Sequence, residues 1–574
     1  MKSTNRKRLP YGNSNFEKIR TEGYAYVDKT RFIELLEREE SDKLFLVRPR
    51  KFGKSLFFSM LTHYYDVCSA DSFETLFGDL YIGKHPTPKH NELMALKFNF
   101  SGIDTTTQDD FGISFTEKIE SSVMQFLDNH KDFLPEHESL IRDVRTKKSV
   151  SGYLKVAFRA VASQNRKLFV IIDEYDHFAN DFIVMGTPEG VEFYKQNIRA
   201  NGIVRDFYET LKEGSETVID RIMLTGITPV MLDDLTSGFN VAINLSLKPQ
   251  YNEILGFTQE EAEWLMNETG IDPSRIPIDL KKLYDGYMFH FKGKSSVYNP
   301  SMMLYIFSEL LDTDYQPELL MDENLKMDYG RLRLLLSSGQ NREQLSEIAL
   351  NSVISADIVP KFSLDELHNN ANFVSLLFYF GLLTVDDSML SCLKIPNQSI
   401  RSVYWEYFER MTRERDNILI SNTKQAAAIL ELAYKSNPKP FLDYMTEHLI
   451  SKISNRDLLN FDEKYIKVML ISRLMQSSLY HVINEPEFST GYADIWLERS
   501  AKGQDIIPYE WIWELKYMKT SDSAQAVAGK FAEAFAQLEK YRSSYRLAKR
   551  RDVRYLAIIF IGKDKYKTKE LPEK

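Results

Sequence analysis

Cysteine is scarce in this sequence, and a long apolar run is absent. The 574 residues include only two cysteines, Cys68 and Cys392, which lie too far apart to indicate a disulfide framework or a cysteine-based zinc site. The basic N-terminus leads into no apolar segment, and no stretch approaches the roughly 18 apolar residues that a membrane helix needs. We therefore expect a cytoplasmic protein that makes no membrane contact.

Basic charge is also in deficit over most of the chain. The net charge is −9, which argues against general coating of polyanions. The segment Lys540–Lys574 is the exception, because it holds 12 Lys and Arg residues against 4 Asp and Glu residues and leaves −17 for the first 539 residues. Such a segment is either a solvated surface or a contact for nucleic acid.

Apolar residues are plentiful, at 43% of a chain long enough for three or four domains. In the first half, short apolar runs bounded by turn residues predict buried strands, and segments with helical periodicity separate them. This alternation is typical of a parallel sheet with helical crossovers. The predicted strands are residues 44–47, 95–100, 168–172, 221–226 and 241–247.

The remainder of the chain follows two further patterns. From about residue 250 to residue 450 the periodicity is mostly helical. After Asn455 the pattern predicts a helix, two strands, a second helix and a last strand, which together suggest an α/β domain. These elements are residues 459–479, 492–498, 512–518, 522–547 and 555–562.

Residues 46–56, LVRPRKFGKSL, lack the first glycine of a phosphate-binding loop. The pattern G-x-x-x-x-G-K-[ST] places glycine at position 48, where this chain has Arg48. Gly53, Lys54 and Ser55 still complete the pattern between a predicted strand and a predicted helix. Backbone N–H groups would then face the phosphates, Lys54 would reach the β and γ oxygens, and Ser55 would ligate Mg²⁺. The stretch therefore predicts an ATP site.

A second motif, KLFVIIDEYDHF at residues 167–178, belongs with the same site. Its apolar residues predict a buried strand with Asp173 at the carboxyl end, where a carboxylate holds Mg²⁺. Glu174 follows in a position to orient and deprotonate the attacking water. A later strand, RIMLTG, ends in Thr225, which is either a sensor of the γ-phosphate or a threonine that merely ends a strand.

These motifs together resemble the bacterial AAA-ATPase-like family, whose members are often joined to a PD-(D/E)XK nuclease-like domain. The resemblance rests on LPYGNSNFEKIRTEGYAYVDKT at residues 9–30 and on RPRKFGKSL, IIDEYD, LTGITPV, LTSGFN and YDGYMF. It implies an additional-strand P-loop ATPase core in which Arg48 belongs to the nucleotide-binding loop, since the family writes its loop R-P-R-[RK]-F-G-K-S. It also implies that Gly12, Phe16 and Tyr26 lie near the adenine.

Residues 491–516 carry a different chemistry. Asp494 falls on one predicted strand, and Glu514 and Lys516 fall on the next, two apart, so that both point to the same face. Two converging carboxylates suit Mg²⁺ or Mn²⁺, and a neighbouring ammonium group positions water and offsets phosphate charge. The alternative is an ordinary exposed face of an amphipathic strand. Glu463, on the preceding helix, is the candidate for a further acidic ligand.

Neighbouring residues bear on this second site. Glu485 and Glu487 compete with the helical glutamate for the role of further acidic ligand. Gln537 and Tyr541 have the Q-x-x-x-Y spacing seen in some branches of the nuclease superfamily. Tyr492 stands where the nuclease family's G-R-x-D run has arginine, which puts substrate contact in doubt rather than metal binding.

The sequence thus predicts an α/β protein with three regions. Residues 1–250 form an additional-strand P-loop NTPase core, a parallel sheet with flanking helices. Residues 251–400 form a mostly helical lid or spacer, and residues 401–574 form an α/β restriction-endonuclease-like domain.

The predicted function is ATP binding and hydrolysis coupled to a metal-dependent nuclease that acts on DNA. Its cofactors are ATP and Mg²⁺, with Mn²⁺ as an alternative at the nuclease site. The alternative function is a nucleotide-controlled switch whose C-terminal domain binds nucleic acid or protein without cleaving it. Nucleic acid, with DNA favoured over RNA, is the expected partner, and a homo-oligomer is a further candidate.

Overall fold

The computed structural model divides the chain into two compact units. Unit 1 comprises Met1–Tyr315, Met321–Gln344 and Val353–Asn397, and unit 2 comprises Gln316–Leu320, Leu345–Ser352 and Gln398–Lys574. The predicted boundaries of the three regions stay predictions. The structure describes residues 6–178, 192, 196, 202–230, 242–317, 320–322, 342–363, 366, 369–419, 421–453, 462–500, 503, 506–544, 547, 550 and 552–572. Among the helices of these residues, none combines the length and the apolar content that a membrane span requires.

A parallel sheet forms the centre of unit 1, as predicted. Its order is β2-β3-β4-β1-β5, so that β4 lies between β1, which precedes the GKS segment, and β3, which ends in Asp173. This intervening strand is the additional strand of the predicted P-loop core. The strands are β1 Lys43–Val47, β2 Met94–Asn99, β3 Leu168–Asp173, β4 Ile219–Gly226 and β5 Ile243–Asn244.

Helices flank this sheet because their apolar residues repeat at helical spacing. In α6, Thr107 caps the first turn by accepting the Asp110 N–H, and Phe111, Phe115 and Ile119 recur every four residues on the buried face. The helices up to residue 379 are α1 Phe16–Thr21, α2 Phe32–Glu37, α3 Lys54–Tyr65, α4 Phe73–Phe77, α5 Tyr81–Lys84, α6 Gln108–Asn129, α7 His137–Thr146, α8 Val150–Ser163, α9 Ile203–Ser215, α10 Gln259–Thr269, α11 Leu280–Tyr284, α12 Pro300–Asp312, α13 Arg342–Asn351 and α14 Asn370–Tyr379.

The predicted helical middle is confirmed, with one addition. A small antiparallel sheet of order β6-β8-β7 belongs to unit 1 and is formed by β6 Val353–Ser355, β7 Thr384–Val385 and β8 Cys392–Lys394. Strands of two or three residues are too short to show a period in the sequence, so the pattern did not predict them.

A five-stranded mixed sheet forms the centre of unit 2. Its order is β15-β14-β13-β12-β9, with β13 and β14 parallel and the other pairs antiparallel. A separate antiparallel pair, β10 with β11, lies between β9 and β12 in sequence. The strands are β9 Tyr480–Asn484, β10 Glu487–Phe488, β11 Gly491–Tyr492, β12 Ile495–Arg499, β13 Glu510–Met518, β14 Val553–Ile561 and β15 Lys565–Glu570.

Both faces of this sheet are covered. On one face Trp513 is buried and packs near Phe441, and on the other Ile512 and Met518 belong to a core cluster with α19. The helices of unit 2 that follow residue 397 are α15 Gln398–Arg415, α16 Asn422–Lys435, α17 Lys439–His448, α18 Glu463–Leu474 and α19 Ala524–Arg542.

The predicted elements of the last domain are confirmed, but strand β12 starts at Ile495, so Asp494 lies in the bend just before it. Strands β9 and β15 were not predicted.

Candidate functional site

The GKS segment lies where a strand turns into a helix. Strand β1 ends at Val47, and α3 begins at Lys54 with Gly53 as its N-cap. The backbone of Gly53 has φ of 90° and that of Lys51 has φ of 64°, so the loop bends through two left-handed residues. A glycine is required at position 53 because other residues rarely adopt that φ.

Lys54 is held inside this loop. Its Nζ donates to the carbonyl oxygens of Arg48 and Pro49, each at 2.9 Å, and the side chain is buried. Burial lowers the pKa of Lys54 to about 8, although Asp173 and other nearby carboxylates act in the opposite direction. Among the described residues, the hydrogen-bond partners of this buried ammonium group are two carbonyl oxygens, which an incoming phosphate can replace.

The structure does not bring the Arg48 side chain into the pocket. Its guanidinium donates to the carbonyl oxygens of Ser246 and Tyr251 at 3.0 and 2.8 Å and stacks 3.8 Å above the Phe289 ring. Burial lowers the pKa of Arg48 to about 9. The Arg48 side chain therefore anchors the start of the loop to the segment that follows β5, while its carbonyl oxygen accepts a hydrogen bond from Lys54.

The acidic pair after β3 faces this loop. Asp173 is buried, hydrogen-bonds with Ser55 and accepts the Glu174 N–H at 3.0 Å. Burial raises the pKa of Asp173, and the bond with Ser55 opposes that shift. The Glu174 backbone has φ of 52°, and its Oε2 lies 3.3 Å from His177 Nδ1. This contact with His177 lowers the pKa of Glu174, so the carboxylate is ionised beside the pocket.

Thr225 does not reach the pocket. Its hydroxyl is fully buried and donates to the Leu46 carbonyl oxygen at 2.9 Å, so the structure favours the simpler interpretation that this threonine ends a strand.

Asp176 was missed by the sequence analysis. Its Oδ2 accepts the backbone N–H groups of Ile227 and Thr228 at 3.0 and 2.7 Å and the Thr228 hydroxyl at 2.8 Å. A Cβ added at Gly226 would lie 2.2 Å from Asp176 Oδ1, so only glycine allows this approach. The third acidic residue of the run DEYD was the available signal.

These elements surround a cavity of about 690 Å³. Its wall includes Gly53, Lys54, Ser55, Asp173, Glu174 and His177. The volume lies within the range of about 300–1,000 Å³ that small-molecule and cofactor sites occupy. The cavity thus combines room for a nucleotide with a helix N-terminus, a lysine and two carboxylates at one end.

Further residues proposed for nucleotide contact differ in placement. Gly12 and Tyr26 line the cavity, whereas Phe16 lies in the core against Tyr26. The sequence also offers Arg50, Lys51, Arg199 and Arg205 as candidates for phosphate or intersubunit contacts. Of these, Arg50 and Lys51 line the cavity. Arg205 pairs with Glu209. Arg199 and the motif LTSGFN fall outside the described residues.

In unit 2, one row of paired residues crosses the sheet. Asp494 lies one residue before Ile495, which pairs with Trp513, and so stands opposite Glu514. Asp494 Oδ2 accepts the Leu515 N–H at 2.8 Å, which joins the bend before β12 to β13. The predicted convergence of these two carboxylates is therefore present in the geometry.

Glu514 has one oxygen with a partner and one without. Its Oε1 accepts Lys516 Nζ at 2.8 Å, and among the described residues its buried Oε2 has no hydrogen-bond donor. The nearby Tyr541 hydroxyl donates its single proton to the Tyr492 carbonyl oxygen instead. Burial and the Asp494 carboxylate raise the pKa of Glu514 to about 7. A buried carboxylate oxygen that lacks a hydrogen-bond donor is suited to coordinate a metal ion.

Lys516 connects this pair to the preceding helix. Its Nζ lies 3.9 Å from Oε1 of Glu463, the first residue of α18. Burial raises the pKa of Glu463 as well. Glu487, which competed for this role, is exposed on β10. Glu463 is thus the predicted helical acid that the structure brings to the site.

Lys467 is a member of the site that the sequence analysis missed. Its Nζ lies 2.8 Å from Glu485 Oε1 and 3.3 Å from Asp494 Oδ1. It follows Glu463 by one helical turn, and that spacing was the available signal. Gln537 has a buried Oε1 that lacks a donor among the described residues.

A further group of ligand-type side chains, Asp66, Cys68 and His130, lies outside these sites. His130 Nδ1 donates to the Phe126 carbonyl oxygen at 2.8 Å, and Nε2 lies 2.9 Å from Asp66 Oδ1. Burial opposes the charged imidazole, but the Asp66 hydrogen bond prevails and raises the pKa of His130 to about 10. These contacts of His130 are thus a hydrogen bond within its own segment and a pair with Asp66.

Comparison with known protein families matches two segments of the chain. Residues 10–236 match the AAA-ATPase-like family, described as a predicted AAA-ATPase, and residues 461–570 match the PD-(D/E)XK nuclease superfamily. A curated relative from Azotobacter chroococcum mcd 1, named "Uncharacterized protein in vnfD 5'region", is 26% identical over 386 residues. The match covers 66% of this chain and 64% of that protein, less than two thirds of its length.

Two solved structures are distantly similar. Cdc6p from Pyrobaculum aerophilum has a TM-score of 0.27 and 11% identity, and the Aeropyrum pernix ORC1 protein in complex with DNA has a TM-score of 0.25 and 9% identity. Each match covers 72% of this chain and 97% of the other. The family matches and the geometry agree: the chain contains an AAA-ATPase-like domain at residues 10–236 and a domain of the PD-(D/E)XK nuclease superfamily at residues 461–570.

Proposed function

We propose that the protein is an ATP-dependent or ATP-gated nuclease that cleaves DNA with Mg²⁺ or Mn²⁺. The observation that carries the proposal is the buried Glu514 Oε2, which has no donor among the described residues and stands beside Asp494 and Lys516. A Mg²⁺ or Mn²⁺ ion held by Asp494 and Glu514 would supply Lewis-acid chemistry to a phosphodiester and its attacking water. The Lys516 ammonium group positions that water and offsets the phosphate charge.

The ATPase half of the proposal assigns one role to each residue of the unit 1 pocket. Lys54 exchanges its carbonyl partners for the β and γ oxygens of ATP, and Ser55 with Asp173 would hold the accompanying Mg²⁺. Glu174 orients and deprotonates the attacking water, since it is ionised at the edge of the cavity.

Cleavage of labelled single- and double-stranded DNA and RNA, in Mg²⁺ or Mn²⁺ and with or without ATP, tests the nuclease. Asp494→Ala should abolish cleavage and leave ATP hydrolysis near the wild-type rate, because the two sites lie in different units. Asp564→Ala, a change at an exposed turn of unit 2, is the matched control and should retain cleavage. Binding of nucleic acid without cleavage under every condition would support instead the nucleotide-controlled switch.

ATP binding and hydrolysis are separated by two variants. Lys54→Ala should abolish nucleotide binding, while Glu174→Gln should bind ATP normally and lose turnover, because the groups that bind phosphate remain. Lys84→Ala, a change of an exposed lysine in unit 1, controls for surface charge. Unchanged ATP affinity in Lys54→Ala would show that the nucleotide binds elsewhere.

A further inference from the structure

The site in unit 2 contains a lysine that lies outside the E-x-K pair. Lys467 lies on α18, and only 9% of its surface is exposed. A lysine extends into water where it can, as exposed Lys464 does on the same helix. Lys467 instead reaches Glu485 and Asp494. Its position is therefore set by these carboxylates.

Two lysines divide the acidic groups of the site between them. Lys516 contacts Glu514 and Glu463, and Lys467 contacts Asp494 and Glu485. Each of the two proposed metal ligands thus has an ammonium group on one oxygen. The other oxygen of Asp494 accepts the Leu515 N–H, whereas the other oxygen of Glu514 has no donor among the described residues. The arrangement leaves a clear place for one cation, at Glu514.

The charge balance of the site also indicates a single metal ion. Arg401 lies 3.6 Å from Glu485 Oε2, and Lys530, which also faces Glu463, is paired with Glu533 and adds no net charge. Four carboxylates against three cations leave one net negative charge, so one divalent cation and one phosphodiester bring the site to neutrality. A second divalent cation would place excess positive charge in a buried site, which is costly. The carboxylates are Glu463, Glu485, Asp494 and Glu514, and the cations are Arg401, Lys467 and Lys516.

We propose that Lys467 is a positioning residue that restricts the nuclease site to a single divalent cation. Sites with two ions hold them about 3.5–4 Å apart on shared ligands. The Lys467 ammonium group, 3.3 Å from Asp494 Oδ1, takes the place where a second ion would share that carboxylate. The same contact fixes the Asp494 side chain for the first ion. This inference rests on the proposed nuclease function.

Mn²⁺ counting on the nucleotide-free, full-length protein tests the inference. Electron paramagnetic resonance of free Mn²⁺ gives the number of bound ions. Each variant is measured with and without the additional change Asp494→Ala, and the difference between the two numbers is the count for this site. The wild type should bind one such ion and Lys467→Met should bind two. Lys467→Arg, which keeps the charge, and Lys464→Met, the matched control on the same helix, should each bind one. Cleavage should fall about 10- to 100-fold in Lys467→Met, because Asp494 loses the group that orients it.

The outcomes separate this inference from the proposal beneath it. One ion or none in Lys467→Met, with one in the wild type, overturns the role of Lys467 and leaves the nuclease proposal standing. No countable ion in the wild type contradicts the nuclease proposal, and this inference falls with it. If Lys467→Met does not fold, Lys467→Gln removes the charge and keeps a polar group for the two carboxylates, and the same count of two is expected.

Discussion

At the residue scale, Arg48 shows how a phosphate loop forms without its first glycine. Glycine gives a loop freedom of the backbone. Arg48 instead anchors the start of the loop, because its guanidinium donates to two carbonyl oxygens beyond β5 and stacks on Phe289. The loop therefore depends on distant parts of unit 1 for its shape, and a pattern that demands glycine at this position would miss the site.

The metal binding that we propose for Glu514 should depend on pH. Its pKa is raised to about 7 by burial and by Asp494, and a metal ligand must be deprotonated. We expect the Mn²⁺ affinity to fall about tenfold for each pH unit below 7. Titration calorimetry between pH 5.5 and pH 8, at about half-unit steps, measures this. Glu514→Gln should lose both the binding and its pH dependence, whereas Glu539→Gln, at an exposed position, should keep both.

The same shift has the opposite effect on the folding of metal-free unit 2. The Glu514 carboxyl ionises at about 4.5 in the unfolded chain and at about 7 in the folded one. The folded state thus holds the proton more tightly, and the free energy of unfolding should decrease as pH rises from 4.5 through 7. In the calorimetric titration described above, a Mn²⁺ affinity that stays constant at all the pH values measured would contradict the assignment of Glu514 as a ligand.

At the element scale, Asp176 joins the segments that follow β3 and β4. Its carboxylate is the acceptor for two backbone N–H groups and one hydroxyl, all buried. Asp176→Ala leaves those donors unpaired, so the free energy of unfolding of unit 1 should decrease by about 3 kcal/mol. Urea denaturation measures this, with Asp132→Ala at an exposed position as control. Equal midpoints for the two variants would contradict the role given to Asp176.

Strand β15 places lysines on the face of the sheet that carries the proposed nuclease site. Lys567 pairs with Ile559, which in turn pairs with Lys516, and Lys565 occupies the next row on that face. We expect the double change Lys565→Gln and Lys567→Gln to weaken DNA binding. Fluorescence anisotropy in the uncleaving Asp494→Ala background measures it.

The salt dependence of binding identifies the kind of contact. Two lost phosphate contacts should reduce the slope of log affinity against log salt by about two. Lys84→Gln with Lys148→Gln, two exposed lysines of unit 1, is the control. A slope that both double variants share with the parent would show that β15 makes no phosphate contact.

The sequence predicted elements where burial and period agree. Strand β3 is buried at every residue, and α19 repeats its apolar positions, so both were found. The sequence of β15, KYKTKE, has no apolar stripe because it is an edge strand, and such strands carry lysine. Lys467 was missed although it follows Glu463 by one helical turn, because its partners come from the bend before β12 and from the residue after β9.

At the scale of the whole molecule, two ligands should stabilise two different units. A ligand that binds only the folded state adds about 2.7 kcal/mol at 100 times its dissociation constant. ATP at constant Mg²⁺ should therefore raise the unfolding midpoint of unit 1 alone, and added Mn²⁺ that of unit 2. Differential scanning calorimetry of the full chain measures both, with Lys54→Ala and Asp494→Ala as the variants in which each shift is lost. A single transition that both ligands move together would show that the chain unfolds as one cooperative body.

The left-handed backbone conformation of Glu174 has a consequence for how this position changes in evolution. With φ of 52°, a residue other than glycine gives up about 1 kcal/mol of folding stability at this position. The role that we propose for its carboxylate in ATP hydrolysis would favour a glutamate there. In a lineage that stopped hydrolysing ATP, this selection would end while the strain remained. We therefore expect Glu174 to be among the first residues replaced, by glycine or asparagine, in homologues that no longer hydrolyse ATP. Such a replacement would mark the loss of ATPase activity.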